Sequence, residues 1–344
     1  MPIRTLTPAV RSQWDAFVTQ HPDGTFFHKS GWQRVIEQSF GHATRYLYVE
    51  RDGIITGVLP LVHVKSWLFG SALISTAFCV YGGPLANDPA SAMALREAAV
   101  VEMERLKADR VEFRFRQASD GGWLQVGDRY ATFRRPIDPD PDKNLLAIPR
   151  KQRAVVRKSI SGGLTDECDV AVDRLHRVYG ESVRNLGSPV FPKRYFQALM
   201  DEFGDQAEIR TVLDRGSPVA SVLSFFFRDE VLPYYGGGTM SARSSGANDF
   251  MYWQVMNRAA ARGYRLFDFG RSKLGSGAYD FKKNWGFTPE PLIYEFKLKA
   301  GDQLPDTSPL NPKLQRYIEA WKRLPLPVTN FVGPRLIRGL GLGA

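Results

Sequence analysis

Cysteine is almost missing from this sequence. Cys79 and Cys168 are the only two in 344 residues, and no CxxC pair occurs. That excludes a disulfide-stapled secreted scaffold and a cysteine zinc cluster, and it suits a reducing compartment. Histidine is scarce as well. His21, His28, His42, His63 and His176 show no triad spacing, and no metal site is indicated. The opening residues, MPIRTLTPAVRSQWDAF, lack the apolar core of a signal peptide, so the expected location is cytoplasmic. One uncharged run, SWLFGSALISTAFCVYGGPLA at residues 66–86, is long enough to span a bilayer. Its glycines, its serines and threonine, and its Gly82-Gly83-Pro84 end make it read as short buried strands and a turn. No RNA-recognition or helix-turn-helix signature is visible, and the phosphate-loop spacing GxxxxGK is absent.

What the chain does have is positive charge. Against 36 Asp+Glu stand 46 Lys+Arg, a formal charge of +10. Such a balance favours anionic partners: phosphorylated substrates, nucleic acid or an acidic membrane surface. The length suffices for two ordinary domains.

The chain also repeats itself. GWQRVIEQSFGHATRYLYVERDGIITGVLP (residues 31–60) aligns without gaps on RYFQALMDEFGDQAEIRTVLDRGSPVASVL (residues 194–223), a shift of 163 residues. Phe40-Gly41 falls on Phe203-Gly204 and Gly53 on Gly216. In each copy an amphipathic helix ends at a glycine, and a strand, a tight turn and a second apolar strand follow. Residues 91–108 and 249–262 then read as helices, and residues 110–116 and 264–269 as strands. Each half is helix, hairpin, helix, strand, which implies an α/β architecture (α+β, mixed sheet) with helices packed on it. The expected division is residues 1–147, a basic junction helix at 148–163, residues 164–300, and a basic, apolar tail at 301–344. Arg150, Lys151, Arg153, Arg157 and Lys158 crowd the junction helix. The tail is expected to lie outside both domains, docked by its apolar side chains or touching a membrane through Lys322, Arg323, Arg335 and Arg338.

The most informative stretch is FDFGRSKLGSGAYDFKKNWGF, residues 267–287. It begins as a buried strand, passes through a glycine-rich loop and ends as a short helix. Asp268 sits at the strand end, where open α/β sheets bind ligands. Phe281 and Trp285, four apart, share the buried face of the helix. Tyr279, Lys282 and Lys283 then point to the wet side, and with Arg271 and Lys273 they form a cradle for phosphate or carboxylate. A second glycine-rich piece, YYGGGTMSARSSGAND at residues 234–249, leads into a helix N-terminus, another anion-attracting feature. Within it, Arg243, Gly246 and Asn248 resemble the Q/R-x-x-G-x-G/A pyrophosphate loop of acyl-CoA-dependent N-acetyltransferases, with Asn248 departing from the last position.

Taken together, the twinned α/β units, RKQRAVVRKSISGGLT and the 267–287 stretch resemble the FemAB-like transferases, twinned domains of the GNAT acyltransferase superfamily. The tail, with WKRLPLP and GPRLIRGLG, is similar to the FemAB-like subgroup associated with exosortase exopolysaccharide systems. The resemblance covers residues 24–299. It implies two tandem GNAT-like domains and transfer of an acyl or aminoacyl group to an amine of a cell-envelope or exopolysaccharide precursor. The donor it implies is aminoacyl-tRNA or acyl-CoA, with no cofactor required and an anionic or lipid-linked precursor as acceptor. Asp268, Tyr235 and Tyr279 are then the candidate proton handlers, and Lys282 neutralises developing negative charge. Arg271, Lys273, Lys283, Arg243 and Gly246 hold the anionic substrate. Two other classes fit the residues: an acyl-CoA-dependent N-acyltransferase, and a non-catalytic module binding an anionic polymer.

Overall fold

A computed structural model describes residues 2–66, 70–117, 121–304 and 312–340. The chain divides into two compact units. One comprises Met1–Arg129, Pro291–Thr307 and Leu336–Ala344, the other Tyr130–Glu290 and Ser308–Arg335.

The sheet of the first unit runs, in spatial order, Ile3–Thr5, Ala43–Arg51, Ile54–Ser66, Gly70–Ser75, Arg110–Phe115, Ile293–Leu298, Leu124–Val126. Along that order only Gly70–Ser75 and Arg110–Phe115 are parallel. The Pro89–Arg105 helix buries Leu95, Ala99 and Met103 against Leu47, Leu61, Leu73, Val111 and Phe113 of the strands. The second sheet runs Thr165–Asp169, Ala207–Asp214, Ser217–Phe227, Glu230–Gly238, Leu266–Asp268, Tyr130–Pro136, Ser272–Lys273. Its parallel pair is Glu230–Gly238 with Leu266–Asp268. Here the Ala247–Ala261 helix buries Phe250, Met251, Met256 and Ala259 against Val212, Val222, Val231 and Phe267. Both sheets are mixed, as the alternation of helices and hairpins requires.

The repeat is visible in local detail. The Gly31–Phe40 helix leads into the Ala43–Arg51/Ile54–Ser66 hairpin, and the Lys193–Phe203 helix into the Ala207–Asp214/Ser217–Phe227 hairpin. Both turns are left-handed at two successive residues, Asp52 and Gly53 in one copy, Arg215 and Gly216 in the other, with φ between 50° and 80°. Two such residues give a turn whose twist matches that of the strands. Each hairpin also carries a bulge at the corresponding place, between Val49 and Glu50 and between Val212 and Leu213. The glycine caps differ. Gly41 adopts the expected left-handed conformation, whereas Gly204 has φ 49° and ψ −123° and opens a 3-10 turn instead. The correspondence also reaches further back than the sequence shows, since strand Ile3–Thr5 and helix Arg11–Gln20 have counterparts in Thr165–Asp169 and Asp173–Leu186.

The domain boundaries fall elsewhere than at residues 147 and 300. Tyr130–Pro136 pairs with Leu266–Asp268 in the second sheet, and Ile293–Leu298 pairs with Arg110–Phe115 in the first. These are equivalent strands, separated by the same 163 residues, and each completes the sheet of the other repeat. The junction helix, Arg150–Ser161, belongs to the second unit and packs on Ala247–Ala261. Nor does the described part of the tail stand outside both units: it groups with the second as far as Arg335 and with the first from Leu336. Residues 305–311 and 341–344 of the expected tail lie outside the described residues.

Candidate active site

The parallel pair of the second sheet is short. Only Glu230↔Leu266 and Val231↔Phe267 are in register. Beyond Val231 the Glu230–Gly238 strand continues to three glycines with no further register to Leu266–Asp268, so the two strands part at their carboxyl ends. The open strand then leads through the short Ala242–Ser245 helix to Gly246, whose left-handed φ of 70° redirects the chain into Ala247–Ala261. A side chain at Gly246 would meet Ser159 and Val155 of the basic helix at 3.2 and 3.7 Å. Glycine there lets the helix carrying Arg150, Lys151, Arg157 and Lys158 lie against the loop. These four cations and Arg243 are exposed, and none has a side-chain partner among the described residues. At Gly236 an added Cβ would be 2.9 Å from the Tyr252 hydroxyl. Asn248 Oδ1, buried beside Gly238, has no hydrogen-bond partner among the described residues. The strand end is thus bare backbone ringed by polar atoms and followed by a helix N-terminus.

The 267–287 stretch closes the other side. Asp268 is 1% exposed. Its Oδ1 accepts from the Gly270 amide at 2.6 Å and from Thr132 Oγ1 at 3.4 Å, and its Oδ2 accepts from Arg134 Nε at 3.2 Å. Arg134 also pairs with Glu230. This carboxylate therefore locks the turn and is not presented to a substrate. Lys282 is also turned inward. Its Nζ donates to the carbonyls of Phe269, Gly270 and Arg271 at 2.7, 3.1 and 3.1 Å, and it lies over the Phe133 and Phe269 rings. Burial lowers its pKa to about 7, with nearby Asp268 opposing the shift and Arg271 adding to it. Asp268, expected at the strand end, and Lys282, expected on the wet face, thus both fasten the loop from within; the turn leaves three carbonyls converging on one point, and the Lys282 amine satisfies them.

Tyr235 is the clearest departure from the sequence reading. It is fully buried, its hydroxyl 2.7 Å from that of Tyr195, among Tyr179, Phe191 and Phe196. A strand residue immediately before a glycine run looks accessible, but its side chain belongs to the core face. Tyr279 is half-buried with its ring on Phe133, and Lys283 lies exposed over the Tyr279 ring at 5.6 Å. Arg271 is half-buried with its guanidinium over Tyr130 at 4.5 Å, and Lys273 is half-buried in the strand paired with Tyr130. Asp268, Lys282 and Arg271 come together, as do Arg243 and Gly246. Tyr235 joins neither group.

Sequence reasoning missed Asp249. In the first turn of Ala247–Ala261 it is 8% exposed and accepts hydrogen bonds from Trp285 Nε1 at 2.9 Å and from Gln152 Nε2. Burial raises its pKa, while those two donors pull it down. Asp249 thereby joins the basic helix, the Ala247–Ala261 helix and the end of the Gly277–Asn284 helix. Trp285 is 0% exposed, whereas Phe281 is only partly buried. Trp285→Ala is accordingly expected to cost about 3–5 kcal/mol, and more through the unpaired carboxylate, and Phe281→Ala roughly 1–2 kcal/mol. Chemical denaturation of both variants checks the order; equal losses would refute it.

A cavity of about 260 Å³ belongs to the first unit and includes none of the expected site residues. His21, His28, Tyr81, Arg114 and Arg116 line it. Burial holds His28 neutral, its pKa lowered to about 3.

Residues 150–283 match the acetyltransferase (GNAT) domain family. No curated protein sequence matches the chain. Among solved structures, FemX is 18% identical, with 86% of this chain and 97% of that one covered and a TM-score of 0.63. A tandem GNAT protein from the clavulanic acid biosynthesis pathway is 12% identical over 88% and 99% of the two chains, with a TM-score of 0.56. The C-terminal domain of a putative lysylphosphatidylglycerol synthetase from Agrobacterium fabrum is 16% identical over 85% and 93%, with a TM-score of 0.53. These likenesses establish the tandem fold. Residues 150–283 carry an acetyltransferase (GNAT) domain, and with that match the chain is a transferase.

Proposed function

We propose that the chain transfers an acyl or aminoacyl group to an amine of a cell-envelope or exopolysaccharide precursor. The observation that carries this is the parting of Glu230–Gly238 from Leu266–Asp268, followed after one short turn of helix by the N-terminus of Ala247–Ala261. An acyl chain can lie along bare backbone in that gap while the anionic part of its carrier meets the N-terminal amides and the unpaired Arg243. The amine nitrogen attacks the acyl carbonyl, the new C–N bond forms, the C–O or C–S bond to the carrier breaks, and the amine proton leaves with the carrier. Lys282, near its own pKa at neutral pH, is the group suited to hold or release a proton beside the loop; Tyr279 is the alternative. Asp268 acts by positioning.

Aminoacyl-tRNA is the preferred donor because the row of unpaired cations on Arg150–Ser161 exceeds what one small carrier needs. The name of the lysylphosphatidylglycerol synthetase neighbour, which records an aminoacylated lipid, supports the same reading. Acyl-CoA is the second reading, favoured by Arg243 and Gly246. Either donor places the enzyme on the cytoplasmic side of the envelope, where both are made. Acetyl-CoA and aminoacyl-tRNA offered separately discriminate the two. Arg243→Gln should weaken binding of the active donor about ten- to a hundredfold with an unchanged melt. Normal binding by that variant and by Arg271→Ala would remove the basis for the site.

A further inference from the structure

The tail helices, Pro312–Arg323 and Leu326–Arg338, leave several large apolar side chains exposed. The second buries small residues: Thr329 is 1% exposed, and a Cβ on Gly333 would come within 3.0 Å of the Val190 amide nitrogen. Ile337 is buried as well, but Phe331, Val328 and Leu336 face out, 68%, 42% and 40% exposed. On the first helix Ile318 and Trp321 turn toward the body, where Ile318 meets Gly187 and Trp321 Nε1 donates to the Ser188 carbonyl at 3.1 Å, while Tyr317 is 75% exposed. A soluble surface normally keeps such residues inside.

The charges along these helices are mostly positive. Arg316, Arg323 and Arg335 are exposed, and Arg335 stacks on Phe331 at 4.3 Å. Glu319, the one acid among residues 315–335, is already paired with Lys322 at 2.7 Å. Aromatic rings interleaved with arginines match the chemistry of a lipid interface, with acyl chains below and anionic headgroups above. No helix among the described residues is long and apolar enough to cross a membrane, so contact through these helices is by lying on the surface.

We propose that Tyr317, Val328 and Phe331, flanked by Arg316, Arg323 and Arg335, dock the enzyme on an anionic bilayer. This deepens the acceptor reading above by putting the enzyme where a lipid-linked precursor resides, but the test reads lipid binding alone. Full-length protein is sedimented with vesicles of phosphatidylcholine, with and without phosphatidylglycerol. Binding is expected only with phosphatidylglycerol and should fall roughly fivefold for each of Arg316→Gln, Arg323→Gln and Arg335→Gln. Tyr317→Ser with Phe331→Ser should reduce it about tenfold or more at an unchanged melting temperature. Failure to bind phosphatidylglycerol vesicles overturns the proposal, as does binding indifferent to the aromatic pair. A concentration-dependent dimer that the aromatic variant abolishes would assign the face to a second copy of the chain and overturn it as well. Lost transfer activity with intact vesicle binding would count against the acceptor reading and leave this one standing.

Discussion

A chain cut between Ala147 and Ile148 should yield two fragments that fail alone and fold together. The first fragment lacks Ile293–Leu298, which pairs with Arg110–Phe115 at six consecutive positions and brings in the buried side chains of Tyr294, Glu295 and Phe296. Glu295, 0% exposed, receives Arg96 at 2.6 Å. Losing two buried aromatics at about 3–5 kcal/mol each is comparable with the whole stability of a domain. The strand left behind presents an apolar edge that invites aggregation. The second fragment lacks Tyr130–Pro136, and with it Arg134, the partner of Asp268 and Glu230. Each fragment carries the strand that the other needs, so co-expression should restore soluble, cooperatively melting protein. A folded 1–147 fragment on its own would contradict the strand assignment.

The second large effect is expected at Lys282. Its removal leaves three loop carbonyls without their shared cation, and Lys282→Met should lower turnover about a hundredfold while weakening the fold by a few kcal/mol. The pH dependence separates its two contributions. The folded amine titrates near 7 and the unfolded one near 10.5, so between those values the unfolded chain holds one proton more. Stability from this group therefore rises with pH across the window, is fully present above about 10.5, and is lost as pH falls to about 7. Activity should run the other way, because the ammonium that satisfies the loop disappears as pH rises through about 7. Melts and initial rates measured from pH 6 to 10, on wild type and Lys282→Met, check both slopes. Parallel slopes, or an unaltered profile in the variant, would exclude Lys282 from the mechanism.

The repeat was legible because its signals are local. A glycine in a hairpin turn and an apolar strand on each side reveal themselves within a dozen residues, and the turns at Asp52-Gly53 and Arg215-Gly216 follow from them. The exchange of final strands was not legible. Tyr130–Pro136 and Ile293–Leu298 look like ordinary strands, and nothing within them says which sheet they join. The surroundings of the candidate site residues were legible only in part, for the same reason. An acid at a strand end and a lysine on a polar helix face are good candidates by position. Asp268 finds its partner Arg134 far back in the sequence, however, and Lys282 bends onto carbonyls eleven to thirteen residues earlier. Asp249 carries no distinguishing signal, because an acid in the first turn of a helix is ordinary there. Its contact with Trp285 bridges 36 residues.

The exchanged strands also speak to ancestry. Two identical single-unit proteins that trade their last strand make a swapped homodimer, and fusing their ends gives a chain threaded like this one. Fusion replaces a bimolecular encounter with a tethered one, so the swap no longer depends on protein concentration. It also frees the two copies to diverge while binding each to the other's mistakes. A change at Arg96 must be answered at Glu295, and one at Asp268 at Arg134, in the opposite repeat each time. Paired substitutions among relatives should therefore cross between the repeats at these strands and stay within a repeat at the hairpins.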